Sequence, residues 1–382
     1  MTTLSREGAP AGVYVHIPFC DRLCPYCDFA VVVRPDAAHQ IYLDALHAEI
    51  ASRSPELLGR SVRTIYLGGG TPSALGDAQL GELLEVLRRL APDAVEVTLE
   101  ANPNHISLSR LKLWKSFGIT RISLGVQSFS ERYLGALGRT HSGAVALQAV
   151  RDALDVFEHV TLDLIVGGPG HSAEELATDL ERVRELGVPH VSVYELTVEE
   201  NTVFFRMSQA GTLNESGHDE TADMLLQAQN GLAVLGFEKY EVSNFAKPGF
   251  QSQHNRNYWE GGEYLGVGLG AHSLRVGPDV TRRANTRKLK DYLLDTRASA
   301  ELEEITTGQH LVERLFVGLR ATHGVNLLEL ERQGLIKERA EVLAILAELE
   351  ALGLLRIAGD DVAPTALGMM MTNTIAERVA RL

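Results

Sequence analysis

Short apolar runs alternate with amphipathic stretches between residues 13 and 198. Runs rich in Val, Ile, Leu and Thr predict six strands, at 13–17, 64–67, 95–100, 119–126, 160–166 and 190–196. Between them, apolar residues at i, i+3 and i+4 predict helices at 37–53, 77–90, 108–117, 142–157 and 172–186. Strands that alternate with helices form parallel sheets with right-handed crossovers. The pattern therefore predicts an α/β fold, a partial (β/α)6 barrel, with an open doubly wound sheet as the alternative.

The regular alternation ends near residue 200. A helix is predicted at 219–235 and a strand at 237–242, and the segment 254–259 and a glycine-rich stretch at 261–270 follow. Helices are predicted at 309–319, 340–352 and 369–379, with short apolar runs around 354–357. We therefore divide the chain into an N-terminal tail (1–11), a barrel core (12–210), an α+β extension (211–297) and a small helical, winged-helix-like C-terminal domain (298–382).

Composition narrows the class of protein. The chain has 382 residues, 45% hydrophobic and 23% charged, as in soluble globular proteins of more than one domain. Its formal net charge of −14 argues against nucleic acid or an anionic membrane as the main partner. The first ten residues resemble no secretory signal, and no window of about 18 apolar residues predicts a membrane span. We expect a cytoplasmic protein, with peripheral membrane contact left open.

Polar residues lie at or near the ends of the predicted strands. Glu100 and Gln127 close two of them, Glu195 ends another, and Asp163 lies inside the fifth. The carboxyl ends of barrel strands build the active sites of α/β barrels. Any one of these polar residues could simply lie at a strand end that is exposed to solvent. Because several occur at equivalent positions of different strands, together they favour a functional site.

All three cysteines of the chain, Cys20, Cys24 and Cys27, fall in one C-x3-C-x2-C run. Three random positions would cluster this tightly about once in a thousand sequences. Thiolates are soft ligands that suit iron–sulfur clusters or zinc. Three thiolates can hold a [4Fe–4S] cluster with one iron left open, whereas zinc would need a fourth ligand such as His16.

The cysteine run, placed directly after the first strand, resembles that of the radical S-adenosylmethionine (SAM) superfamily. In that family three cysteines hold a [4Fe–4S] cluster and the open iron binds SAM. The segments 15–20, 25–29, 68–72, 123–129 and 137–141 are similar to the branch that contains the oxygen-independent coproporphyrinogen III oxidases. The resemblance implies that Tyr14 and Tyr26 pack beside the cluster and SAM. It implies SAM contacts from Gly69, Gly70, Thr71, Glu100, Gln127, Arg139 and Asp163.

Two features separate the members of this branch. The oxidases have a longer N-terminal extension and a fourth cysteine two residues after the third, where this chain has Phe29. The segment His254-Asn-Arg-Asn-Tyr-Trp259 resembles the H-N-x-x-Y-W motif of the HemW family, heme chaperones that deliver heme to proteins such as respiratory enzymes. The resemblance implies heme and apo-heme acceptor proteins as partners, with His254 as an axial iron ligand and His272 as the second choice. Alternatively, the motif caps a backbone segment and fills an interface.

We therefore expect a heme chaperone built on a fold that binds a [4Fe–4S] cluster and SAM. The alternative is an oxygen-independent coproporphyrinogen III oxidase that cleaves SAM to a radical, and a radical SAM enzyme with another substrate is a third possibility. The sequence identifies no catalytic residue and leaves open whether the protein is an enzyme. By analogy alone, the C-terminal domain is expected to be a lid or a docking surface.

Overall fold

The computed structural model describes residues 10–33, 37–277, 279–296 and 300–382. Within these ranges, six parallel strands form the centre of one large sheet and follow one another across it in chain order. They are β1 (Pro10–Ile17), β2 (Ser61–Gly69), β3 (Glu96–Ala101), β4 (Arg121–Gln127), β5 (His159–Val166) and β6 (His190–Glu195). The order never reverses, so the sheet lacks the switch point of a doubly wound fold. The predicted partial barrel is confirmed.

Helices connect the six strands and cover the sheet. They are α1 (Ala37–Arg53), α2 (Asp77–Leu90), α3 (Leu108–Ser116), α4 (Glu131–Ala136), α5 (Gly143–Val156) and α6 (Ala173–Leu186). Local signals set their ends: at α6, Ser172 accepts a hydrogen bond from the Glu175 amide, and Gly187 closes the helix in the left-handed conformation. Buried apolar side chains of strands and helices form one continuous core, which holds the strand ends rigidly in place.

The extension lengthens the same sheet at both edges. The strands that follow β6 are β7 (Glu238–Lys239), β8 (Asn244–Ala246), β9 (Glu263–Val267), β10 (His272–Arg275), β11 (Val280–Ala284) and β12 (Glu301–Ile305). The helices in this part of the chain are α7 (Val203–Gln209), which ends the barrel core, α8 (His218–Val234), α9 (Gln253–Trp259) and α10 (Leu289–Leu294). β8 pairs antiparallel with β6, and β9 pairs parallel with β1. The predicted strand at 237–242 is wrong beyond Lys239, because the chain turns there and the Tyr240 amide donates to the Asn244 carbonyl.

The C-terminal residues form a smaller unit with its own apolar core. It contains α11 (Thr307–Gly318), β13 (Val325–Asn326), α12 (Leu327–Arg332), α13 (Arg339–Ala351), β14 (Leu355–Ala358), β15 (Asp361–Pro364), α14 (Ala366–Met370) and α15 (Thr372–Val379). The three short strands pair in an antiparallel sheet beside the helices. β12 pairs with β11 in the large sheet, and the separate C-terminal core begins at Leu311. The predicted boundary at 298 lies outside the described residues. The helix predicted at 369–379 is divided at Met371, whose backbone is not helical.

No helix in the ranges given above is both long and apolar enough to cross a membrane.

Candidate functional site

The three cysteines lie on the loop that follows β1. The loop is held by backbone hydrogen bonds: the Cys20 amide donates to the Val32 carbonyl at 3.1 Å, and the Val32 amide donates to the Pro18 carbonyl at 2.8 Å. None of the three thiols is in a disulfide, and each is partly buried. They line a cavity of about 440 Å³ at the carboxyl ends of the central strands, here called the cysteine cavity.

Two side chains donate hydrogen bonds to the cysteine sulfurs. Thr71 Oγ1 lies 3.4 Å from Cys20 Sγ, and Arg139 Nη1 lies 3.6 Å from Cys24 Sγ. Burial raises the pKa of the Cys20 thiol to about 11, while the bond from Thr71 acts in the opposite direction. Donors of this kind stabilise negative charge on sulfur, so the site suits thiolates bound to a soft metal centre.

His16 is unavailable as a fourth ligand for zinc. Its Nδ1 is 3.0 Å from the Tyr14 hydroxyl, and its Nε2 is 2.9 Å from the Ala30 carbonyl oxygen. Both ring nitrogens are therefore occupied within the protein. The donor set that remains is three thiols beside an open cavity, which fits a [4Fe–4S] cluster with one iron free for another molecule.

The glycine triplet at the end of β2 is required by close packing. A Cβ atom on Gly69, whose φ is +108°, would lie 2.4 Å from His16 Cε1. A Cβ atom on Gly70 would lie 2.7 Å from the backbone carbon of Pro18. The glycines thus let β2 approach the start of the cysteine loop, and they place the Thr71 hydroxyl against Cys20.

Two partly buried carboxyl groups line the cysteine cavity. Glu100 accepts hydrogen bonds from the Tyr66 hydroxyl at 2.7 Å and from the Gly69 amide at 3.1 Å, and burial raises the pKa of Glu100 to about 7. Asp163 accepts a bond from Ser123 Oγ at 3.1 Å, and burial raises its pKa to about 6. Both groups titrate near neutrality, which suits contacts with a cationic, hydroxyl-bearing ligand.

Gln127 reaches the cavity through an irregular strand end. The register of β4 against β5 shifts between Leu124 and Gln127, and Gln127 has a φ of +68°. A positive φ is unusual for a residue with a side chain and is typical of bulges that redirect side chains at functional sites. Arg139 is fixed beside it, because its Nη2 donates to the Gly125 carbonyl at 2.8 Å.

Most of the predicted site residues line this one cavity. They are Cys20, Cys24, Tyr26, Cys27, Gly69, Gly70, Thr71, Glu100, Gln127, Arg139 and Asp163. The predictions missed Tyr66, Ser123 and Tyr194, which also line it. Each is a polar residue inside an otherwise apolar parallel strand, and that interruption was the available signal.

Tyr14 and His254 lie elsewhere. Tyr14 lines a second, neighbouring cavity of about 620 Å³. His254 is fully buried behind β2 and lines neither of these two cavities. Its Nδ1 is 2.7 Å from Thr64 Oγ1, and its Nε2 is 2.8 Å from the Tyr258 hydroxyl. Both ring nitrogens of His254 are therefore hydrogen-bonded within the protein, and its role as an axial iron ligand stays a prediction.

The H-N-x-x-Y-W motif forms most of α9. The amides of Gln253 and His254 donate to the Glu96 carboxylate at 3.1 and 2.9 Å, and Ser252 accepts a bond from the Asn255 amide. The carboxylate of Glu96 also pairs with Arg121. This arrangement matches the alternative interpretation, in which the motif caps backbone and fills an interface.

The chain is similar in sequence to known proteins of one superfamily. The family model of the Radical SAM superfamily matches residues 14–183. The chain is 37% identical to the heme chaperone HemW of Mycobacterium tuberculosis H37Rv, with 96% of this chain and 94% of the relative covered. It is 40% identical to the Escherichia coli K12 protein of the same name, with 74% and 76% covered.

Among solved structures, coproporphyrinogen III oxidase (HemN) from Escherichia coli, described as a radical SAM enzyme, superposes with a TM-score of 0.84. The two sequences are 25% identical, and the match covers 98% of this chain and 91% of that one. The fold is thus shared with the oxidase, whereas sequence identity is higher to the proteins named HemW. The chain belongs to the HemW family within the radical SAM superfamily.

Proposed function

We propose that this protein is a heme chaperone, which binds heme and transfers it to acceptor heme proteins. The observation that carries the proposal is the 37% identity to a protein named heme chaperone HemW over nearly the full length of both chains. Several further relatives from other bacteria have the same name, at 35% identity in Bacillus subtilis and 40% in Escherichia coli.

Membership of the radical SAM superfamily implies a [4Fe–4S] cluster and SAM as cofactors. Cys20, Cys24 and Cys27 would hold the cluster, which when bound supplies an open, redox-active iron for SAM. Arg139 suits the SAM carboxylate through a guanidinium–carboxylate contact. Glu100, Gln127 and Asp163 offer oxygen and amide groups to its hydroxyl and ammonium groups, and the rigid strand ends hold all of them in one cavity.

The second candidate is an oxygen-independent coproporphyrinogen III oxidase, which the shared fold with HemN favours. The lower identity to that enzyme and Phe29 at the position of its fourth cysteine count against it. Acceptor proteins in respiration, a cytoplasmic location and any peripheral contact with a membrane remain proposals that follow from the family alone.

An anaerobic titration of the cluster-loaded protein with hemin tests the proposal. We expect a saturable shift of the Soret band and transfer of the bound heme to an apo-heme protein. A parallel incubation with coproporphyrinogen, SAM and a reductant should give no protoporphyrinogen. Absence of saturable heme binding together with protoporphyrinogen formation would establish the oxidase instead.

A further inference from the structure

A second cavity adjoins the cysteine cavity, and none of the three cysteines lines it. It has a volume of about 620 Å³, within the range of cofactor-sized sites, and lies between β1, α9, the β9–β11 edge and α11. Three arginines, Arg282, Arg287 and Arg314, line it, and we call it the arginine cavity. It shares Asp28, Phe29, Gly69 and Glu100 with the cysteine cavity, so a ligand in one would lie against the other.

Part of the lining of the arginine cavity is apolar and aromatic. Phe29 leaves 62% of its side chain exposed at the shared boundary, and Trp259, Leu274 and Val317 contribute further apolar surface. A large exposed aromatic side chain next to a concave apolar wall indicates a ligand with an extended apolar face. The indole Nε1 of Trp259 is buried and finds no hydrogen-bond partner among the described residues.

The same cavity is lined by cationic groups, each held by contacts within the protein. Arg282 pairs with Glu303 and with Glu313, while Arg287 donates to the Asp28 carbonyl of the cysteine loop. Arg314 lies against Gly261, where a Cβ atom would be 2.4 Å from its Nε. Glycine at this position thus makes room for the guanidinium. Arginines presented in this way suit ligand carboxylates.

His272 is the accessible imidazole of this cavity. It begins β10 and is exposed, whereas His310 is 3% exposed and His16 is held at both ring nitrogens. His254 is buried outside the cavity. A flat ligand with two carboxylates would find apolar side chains, arginines and an accessible imidazole in the lining of one cavity.

We propose that heme binds in the arginine cavity, with His272 as an axial iron ligand and the arginines at its two carboxylates. The inference rests on the proposed function and specifies its site. It replaces His254 as the ligand and gives Phe29 a role against the macrocycle. It also places the heme next to the Glu100 and Gly69 wall of the cysteine cavity.

The test is a hemin titration of the full-length, cluster-loaded chain and of His272→Ala. We expect the affinity of His272→Ala to fall about tenfold or more, with an altered Soret band that added imidazole restores. His218→Ala removes an exposed histidine on α8 and serves as the matched control with unchanged binding. Val317→Trp, which places a bulky indole in the volume proposed for the heme, should also weaken binding by steric exclusion.

A second ligand tests whether the heme carboxylates contribute to binding. Heme dimethyl ester, which lacks free carboxylates, should bind more weakly than hemin to the wild-type chain, and substitution of Arg287 by Ala should reduce that difference. His272→Met provides a readout independent of stability, because a thioether ligand changes the Soret and visible bands of folded protein.

The outcomes distinguish the two proposals. Saturable heme binding by the wild type that is unchanged in both His272→Ala and Val317→Trp would overturn the assigned site and leave the chaperone function standing. Failure of the wild type to bind hemin at all would overturn the proposed function, and the assigned site with it. Retention of cluster absorbance in each variant shows that the chain has folded.

Discussion

The ring of Tyr66 stacks on the imidazole of His254, with centroids 5.1 Å apart and planes inclined by 26°. The hydroxyl of the same Tyr66 donates to Glu100 at the wall of the cysteine cavity. Tyr66 therefore joins α9, which carries the H-N-x-x-Y-W motif, to the cysteine cavity. The motif can thus contribute to function by holding Tyr66 and Glu100 in position, without itself contacting a ligand.

His254→Ala should lower the stability of the fold. The change leaves a cavity and removes two buried hydrogen bonds, to Thr64 and to Tyr258, so we expect a loss of about 2 kcal/mol in the free energy of unfolding. Urea or thermal unfolding under anaerobic conditions measures it. Unchanged stability together with a lost heme Soret shift would instead make His254 the ligand.

Cys24→Ser should abolish the cluster, because the chain holds three cysteines and has no spare thiolate. Iron and sulfide, about four each per wild-type chain after reconstitution, should fall to background, with loss of the broad absorbance near about 400 nm. Thr71→Val is the matched control: it removes the hydrogen bond to Cys20 but keeps all three thiols. It should retain iron and shift the cluster to a more negative reduction potential. Normal iron content in Cys24→Ser would contradict the assignment of the ligands.

Gly70→Ala should disturb the cysteine loop. The added Cβ would lie 2.7 to 2.8 Å from backbone atoms of Pro18 and Phe19, which cannot move independently of Cys20. We expect a destabilisation of about 2 kcal/mol and reduced iron incorporation. Gly135→Ala in α4 is the control, because no atom lies within 4 Å of its Cβ position and alanine favours helix by up to about 1 kcal/mol. Equal iron content in the two variants would show that the loop tolerates the shift.

Much of the fold could be predicted because periodicity follows directly from burial. The bounds of α1 and α2 agree with the prediction, and the polar strand ends Glu100 and Gln127 do meet at one cavity. The turn after Lys239 could not be predicted, because the apolar and aromatic residues around it, Phe237, Tyr240 and Val242, have the pattern of a continuous strand. Helix α9 begins at a serine cap that periodicity does not report.

The arginine cavity could not be predicted from the sequence, because its lining residues are far apart in the chain. Tyr14, His272 and Val317 come from distant parts of the chain. The pairing of β9 with β1 and of β10 with β9 brings the first two together, and α11 supplies Val317. Likewise, nothing in the motif around His254 indicates that its ring is enclosed by Thr64 and Tyr258. Long-range packing, rather than local composition, decides which histidine is accessible.

SAM affinity should depend on the charge of Glu100. Burial raises the pKa of this carboxyl to about 7, so it is mostly protonated at pH 6 and mostly ionised at pH 8. SAM carries a sulfonium and an ammonium group, and the ionised carboxylate attracts these charges more strongly than the neutral acid does. If the ionised form binds, affinity at pH 6 should be about tenfold lower than at pH 8, since the ionised fraction changes by that factor. Anaerobic equilibrium dialysis of cluster-loaded protein measures the profile.

Two variants give this pH dependence its sharpest test. Glu100→Gln should bind SAM weakly and without the step near pH 7, because the amide does not titrate in this range. Tyr66→Phe keeps the ring that stacks on His254 but removes a hydrogen bond that lowers the pKa of Glu100, so the step should move to higher pH. A step that stays in place in Tyr66→Phe, or survives in Glu100→Gln, would assign the titration to another group, of which Asp163, with a pKa raised to about 6, is the nearest candidate in the same cavity.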